Sequence, residues 1–75
     1  MSNKKIRLTN IEDVRKFVRA AEKCAYDVDI SYNRMIIDAK SLLGVMSMDL
    51  RHTLNVRFDE ERDHAFGEYL EEFAV

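Results

Sequence analysis

Four residues in this 75-residue chain stand out as candidates for chemistry: Cys24, Ser41, His52 and His64. An imidazole can accept a phosphoryl group, relay a proton or ligate a metal, and a thiolate can attack an electrophile. Their settings argue against most of these roles. His52 lies between Arg51 and Thr53, just after a short apolar stretch, where it would favour the dipole at a helix C-terminus. His64 follows Asp63 and has Glu68 four residues on, the spacing of a surface pair. No His, Cys and carboxylate set has metal-ligand spacing. No metal, cofactor or catalytic residue is therefore expected, and the chain does not read as an enzyme. Cys24 falls on an apolar helix face and reads as a small core hydrophobe.

Ser41 is different. It heads the stretch Leu42-Leu43-Gly44-Val45-Met46-Ser47-Met48, which holds five large apolar side chains and one of the chain's two glycines. As a helix N-cap, its hydroxyl can accept from the N–H of residue 43 or 44. Leu42, Val45 and Met46 follow one i, i+3, i+4 face, while Leu43 and Met48 lie off it. That surface is too broad for a single core-facing stripe. Val45 and at least one leucine are expected inward, leaving Met46 and its neighbours as an adaptable surface for a partner.

The elements that would position these residues can be read in order. Lys5 to Leu8 alternates as a short strand with Ile6 and Leu8 on one face. Thr9-Asn10-Ile11-Glu12 fits a capping box, with Thr9 as cap and Glu12 reaching back to it. Ile11, Val14, Phe17, Val18, Ala21, Cys24 and Ala25 then recur at helical spacing, predicting an amphipathic helix over about residues 11–25. Residues 27–33 switch to period two, and Asn33-Arg34 reads as a tight turn into Met35–Asp38. Arginine is a poor second residue for a type I′ turn, which needs positive φ there. The 42–48 helix and the connector 51–53 lead to a strand over Leu54–Phe58. Asp59 can then cap a last helix whose apolar positions are Ala65, Phe66, Tyr69, Leu70 and Phe73. Gly67 interrupts that helix at a cost of about 1 kcal/mol relative to alanine. The order β-α-β-β-α-β-α predicts a single α+β domain, a four-stranded and mainly antiparallel sheet with three helices on one face.

Composition narrows the partners. Twelve basic and fourteen acidic residues give a net charge of −2 with no block of one sign, which argues against a non-specific nucleic-acid binder. One cysteine cannot form an intramolecular disulfide, pointing to a reducing compartment. No apolar run reaches the length of a membrane span, and the first residues lack the apolar core of a leader. A soluble cytoplasmic domain is expected, with protein partners rather than a membrane or nucleic acid. Nothing in the composition fixes the oligomeric state.

The central stretch carries a resemblance. Lys40-Ser41-Leu42-Leu43-Gly44-Val45-Met46-Ser47-Met48 matches, at nine consecutive positions, the regulatory-serine signature of HPr. HPr is the small phosphocarrier protein of the bacterial phosphoenolpyruvate-dependent sugar phosphotransferase system. The resemblance continues backward through Asp29-Ile30-Ser31-Tyr32-Asn33 and the first helix. It implies an open-faced β-sandwich and protein partners such as enzyme I, the HPr kinase or a catabolite regulator. Phosphorylation at Ser41 is implied too, with Lys40 and the helix N-terminus stabilising the phosphate, and docking through Lys40, Leu42, Leu43, Met46 and Met48. The family's other signature, a histidine followed by Ala, Arg and Pro before the first helix, is absent. Aligned without gaps from the serine motif, Asn10 falls where that histidine belongs, Ile11 follows it, and Glu12 falls where the arginine belongs. Glu12 and Asp13 read most simply as helix-capping carboxylates, or more sharply as permanent mimics of a phosphorylated site. Cap and switch both stay open for Ser41. The resemblance thus implies a non-catalytic, regulatory relative. The alternatives are a phosphocarrier whose acceptor has moved to His52, or the same fold reused outside sugar transport.

Overall fold

The computed structural model describes all residues, 1–75. The elements are β1 (Ser2–Ile6), α1 (Ile11–Glu22), β2 (Asp29–Tyr32), β3 (Met35–Asp38), α2 (Leu42–Met46), β4 (Leu54–Phe58) and α3 (His64–Leu70), followed by a 3-10 turn, Glu71–Phe73. The sheet is ordered β1-β4-β2-β3, and every neighbouring pair is antiparallel. β1 and β2 are therefore parallel and separated by β4, and α1 crosses over the sheet to join them. In the same way α2 carries the chain from β3 across β2 to β4. This interlocking of two β-α-β units puts the helices over one face of the sheet, as the predicted α+β class requires.

Strand alternation decides which face is covered. Ile6, Ile30, Leu54, Val56 and Phe58 are buried, and with Val14, Phe17, Val18 and Ala21 of α1 and Phe66 and Leu70 of α3 they form one core. The intervening residues Asn3, Lys5, Asp29, Ser31, Asn55 and Arg57 make the opposite face polar, with Asn55 donating to Asn3 at 2.9 Å. Period-two patterning thus sorts the sheet into a wet and a dry side.

Several boundaries differ from the sequence expectation, each for a local reason. β1 starts at Ser2 because Ser2 pairs with Phe58, and it ends at Ile6 opposite Leu54. Leu8 is still fully buried, and beyond β1 the C-terminal segment takes over the edge. Arg7 N–H donates to the Phe73 carbonyl at 2.9 Å, and Ile6 bridges Ala74. α1 is capped by Asn10, not Thr9: the Asn10 side chain accepts from Asp13 N–H at 2.9 Å. The reciprocal carboxylate is Asp13, not Glu12, and it accepts from the Thr9 N–H and hydroxyl at 3.1 and 2.9 Å. The cap and the carboxylate each lie one residue further along than expected, while the N–H that the carboxylate accepts from is still that of Thr9. α1 stops at Glu22, so Ala25 lies outside it and exposed, and Ile11 stands nearly half exposed at its head. In the hairpin only Asn33 has positive φ, 55°, so Arg34 is spared the strain expected of it. Asp63, not Asp59, caps α3 by accepting from Phe66 N–H at 3.0 Å, while Asp59 accepts from Arg62 N–H in the preceding turn.

Candidate functional site

α1 begins where Asn10, Ile11 and Glu12 follow one another. Asn10 commits its side-chain oxygen to the first turn, and Ile11 and Glu12 both face solvent. Glu12 and Asp13 supply the negative charge that a helix N-terminus attracts. No imidazole or guanidinium belongs to this turn. The first turn of α1 is a self-contained cap, built from an amide and two carboxylates.

α2 is a single short helix started by Ser41, whose hydroxyl accepts from Gly44 N–H at 3.1 Å. Val45 is fully buried beneath it. Leu43 is 81% exposed, Met46 43% and Leu42 38%, so neither leucine takes the inward place expected for one of them. That place belongs to Met48, which is buried and does not contribute to an exposed docking surface as the resemblance implied. The reason is local: α2 ends at Met46, and the chain turns so that Met48 N–H reaches the Val45 carbonyl, bringing Met48 under the same side as Val45. Lys40 is also displaced from its implied role. Its ammonium donates to the Cys24 carbonyl at 2.8 Å, tying the approach to α2 to the exit of α1 rather than reaching toward Ser41. What remains exposed is a compact apolar patch of Leu42, Leu43 and Met46, with the Ser41 hydroxyl at its edge.

Gly44 lets this helix sit where it does. A Cβ there would lie 2.8 Å from Ile37 Cγ2 and 3.0 Å from the Ser41 hydroxyl. The glycine therefore serves two contacts at once, the seating of α2 on β3 and the geometry of the cap.

After α2 lies a cluster that sequence reasoning did not assemble. Asp49 receives a two-pronged contact from Arg51, at 3.0 Å from both Nε and Nη2, and its Oδ2 is 3.2 Å from His52 Nε2. Arg51 accordingly holds the Asp49 carboxyl well below the usual carboxylate range. The His52 ring stacks on Tyr32, with centroids 4.4 Å apart and planes 9° from parallel. His52 is thus held by Asp49 and Tyr32, contacts that its expected place near the dipole of a helix C-terminus does not include. The spacing of Asp49, Arg51 and His52 signals the local contacts, but the Tyr32 partner comes from β2 and has no local signal.

The other candidates fall as follows. His64 pairs with Glu68 at 2.8 Å as its spacing suggests, and also with Glu60 at 2.9 Å. Hydrogen bonding to Glu60, reinforced by Glu68, raises its pKa. Cys24 is buried, with Sγ 3.6 Å from Asp63 Oδ2, and burial pushes its thiol upward, away from the reactive thiolate. Burial likewise pushes the neighbouring Tyr26 phenol up to about 12. No helix is long and apolar enough to cross a membrane.

Comparison with known proteins agrees with this architecture. No curated protein matches the chain. The family model described as the PTS HPr component phosphorylation site matches residues 13–74, from the first turn of α1 through β2, β3, α2, β4 and α3. Three of the four strands, the Ser41-capped α2, α3 and all but the first two residues of α1 lie within that match, and the chain belongs to the HPr family of the phosphotransferase system.

Proposed function

We propose that this HPr-family chain acts in the cytoplasm as a docking or regulatory module of the phosphotransferase type and does not itself carry the phosphoryl group. The observation that supports this is Asn10. An amide caps α1 where the family's phosphoacceptor histidine is expected, and its oxygen is committed to Asp13 N–H. An amide nitrogen has no available lone pair with which to attack a phosphoryl donor, and Glu12 and Asp13 would repel the dianion. Docking falls to Leu42, Leu43 and Met46, with enzyme I, the HPr kinase or a catabolite regulator as the partner. Ser41 is exposed beside that patch, so a kinase can reach its hydroxyl. A phosphate there would replace the acceptor on Gly44 N–H by a dianion, and Lys40 would have to leave the Cys24 carbonyl to pair with it.

The test is incubation with enzyme I and phosphoenolpyruvate, followed by acid treatment and intact-mass measurement, beside a binding titration with enzyme I and the HPr kinase. Binding without an acid-labile adduct is expected. A stoichiometric acid-labile adduct overturns the proposal. Mass spectrometry after the HPr kinase and ATP asks separately whether Ser41 is modified or only caps α2.

One observation favours a second reading. Asp49 orients His52 through Nε2 while Tyr32 stacks on the ring, leaving Nδ1 without a hydrogen bond. An acid-labile adduct that disappears in His52→Gln would make His52 the acceptor. Absence of binding to any phosphotransferase protein would instead place the fold in other service.

A further inference from the structure

Arg15, Arg19 and Lys23 recur every four residues along the solvent face of α1, with Lys16 beside them, and none of the four makes an ion pair within the molecule. They form one wall of a groove of about 460 Å³ whose other wall is α3. Phe66, Tyr69 and Ala20 supply apolar surface along it. Two carboxylates, Glu12 and Asp63, also line the groove, which leaves it with two positive charges in excess in a molecule whose net charge is −2. Asp63 is occupied: it caps Phe66 N–H at 3.0 Å and lies 3.6 Å from the Cys24 thiol. No residue of α2 lines the groove, so it is separate from the Leu42, Leu43 and Met46 patch.

We propose that this groove receives an acidic, amphipathic segment of a partner protein, with carboxylates on the α1 cations and an apolar edge against Phe66 and Tyr69. Arg15 to Lys23 spans about 12 Å along the helix, two turns, at a rise of about 1.5 Å per residue. Cations spread over that length cannot converge on one small anion, whereas carboxylates one helical turn apart meet them in register. A nucleic acid fits less well, because α3 and the turn after it carry Glu68, Glu71 and Glu72, which would repel a continuous run of phosphates. The groove stands independently of the α2 patch and of any phosphoryl chemistry.

The test uses the full chain, isotopically labelled, titrated with a synthetic peptide carrying glutamates at i, i+4 and i+8 and leucines on the adjacent face. Parallel titrations use the same peptide with glutamine for glutamate, a single-stranded oligonucleotide, and inorganic phosphate. Amide shifts are expected along Arg15 to Lys23 and along α3, with affinity falling about tenfold between low and physiological salt. The double variant Arg15→Glu/Arg19→Glu should weaken binding at least about tenfold, while Leu43→Asp should leave it unchanged. Lys23→Glu provides a second charge reversal, should the double variant disturb α1. Shifts confined to α2, equal binding of the glutamine peptide, undiminished binding by the charge-reversed chains, or tighter binding of oligonucleotide or phosphate would each overturn the proposal.

Discussion

Replacing Ser41 with alanine removes the acceptor for Gly44 N–H and should cost about 1 kcal/mol, read as a lower urea midpoint at an unchanged slope. Were Ser41 only a kinase target, the midpoint would not move. His64 makes a prediction of opposite kind, in pH. Glu60 and Glu68 raise its pKa in the folded chain above the ordinary value of 6.5. The protonated ring is thus favoured by folding, and its contribution is fully present below pH 6.5 and lost as pH rises through the raised value. The urea midpoint should decline gently over that window, and His64→Gln should flatten the decline. The effect stays small because the ring is exposed and its pairs are screened. These residues also mark what a linear sequence reveals. Ser41, Val45 and the His64–Glu68 pair follow from spacing alone. The burial of Met48 does not, because it depends on where α2 stops; nor do the turn of Lys40 toward Cys24 and the stacking of His52 on Tyr32, because each depends on a residue brought close only by tertiary folding.

Among the elements, the glycines give the sharpest tests. Gly44→Ala gains about 1 kcal/mol of helix propensity but places a methyl against Ile37 and the Ser41 hydroxyl. The contacts should outweigh the propensity, giving a net loss of about 1 kcal/mol in chemical denaturation. Gly67 is more than the interruption its sequence position suggests. It is buried where α3 meets β4, and a Cβ would overlap the Glu60 carboxylate and stand 3.1 Å from Phe58 Cε2. In Gly67→Ala the flexible Glu60 should yield first, leaving His64. An NMR titration should then show the His64 pKa falling back toward its ordinary value. An unchanged His64 titration would mean that Glu60 is not what holds it. Helix and strand identities were legible because hydrophobic period changes cleanly from 2 to 3.6 along the chain. The caps were not: Thr9 and Asn10, like Asp59 and Asp63, are all accepted capping residues by type, and the later of each pair is the one used.

For the whole molecule, exposure separates stability from recognition. Leu43 is 81% exposed, so Leu43→Asp should change the unfolding free energy by less than about 0.5 kcal/mol. The same change should abolish binding to a phosphotransferase partner if α2 is the docking surface. Fold class was open to sequence reasoning because seven elements in this order leave few ways to cover one sheet face. The α1–α3 groove was not, since Arg15, Arg19 and Lys23 read as an ordinary solvated helix face until α3 is set beside them. Ile6 bridges Ala74, and Val75 N–H lies 3.4 Å from the Lys5 carbonyl, so both extremities of the sequence run along the same outer strand. A linker of about six residues would span from Val75 to Met1, given about 3.3 Å per residue. Opened instead between Asn33 and Arg34, the closed chain would present β3 first and β2 last, with both crossovers intact. Such a circular permutant should regain the parent's amide spectrum, and its refolding would report whether the β2–β3 hairpin must form early.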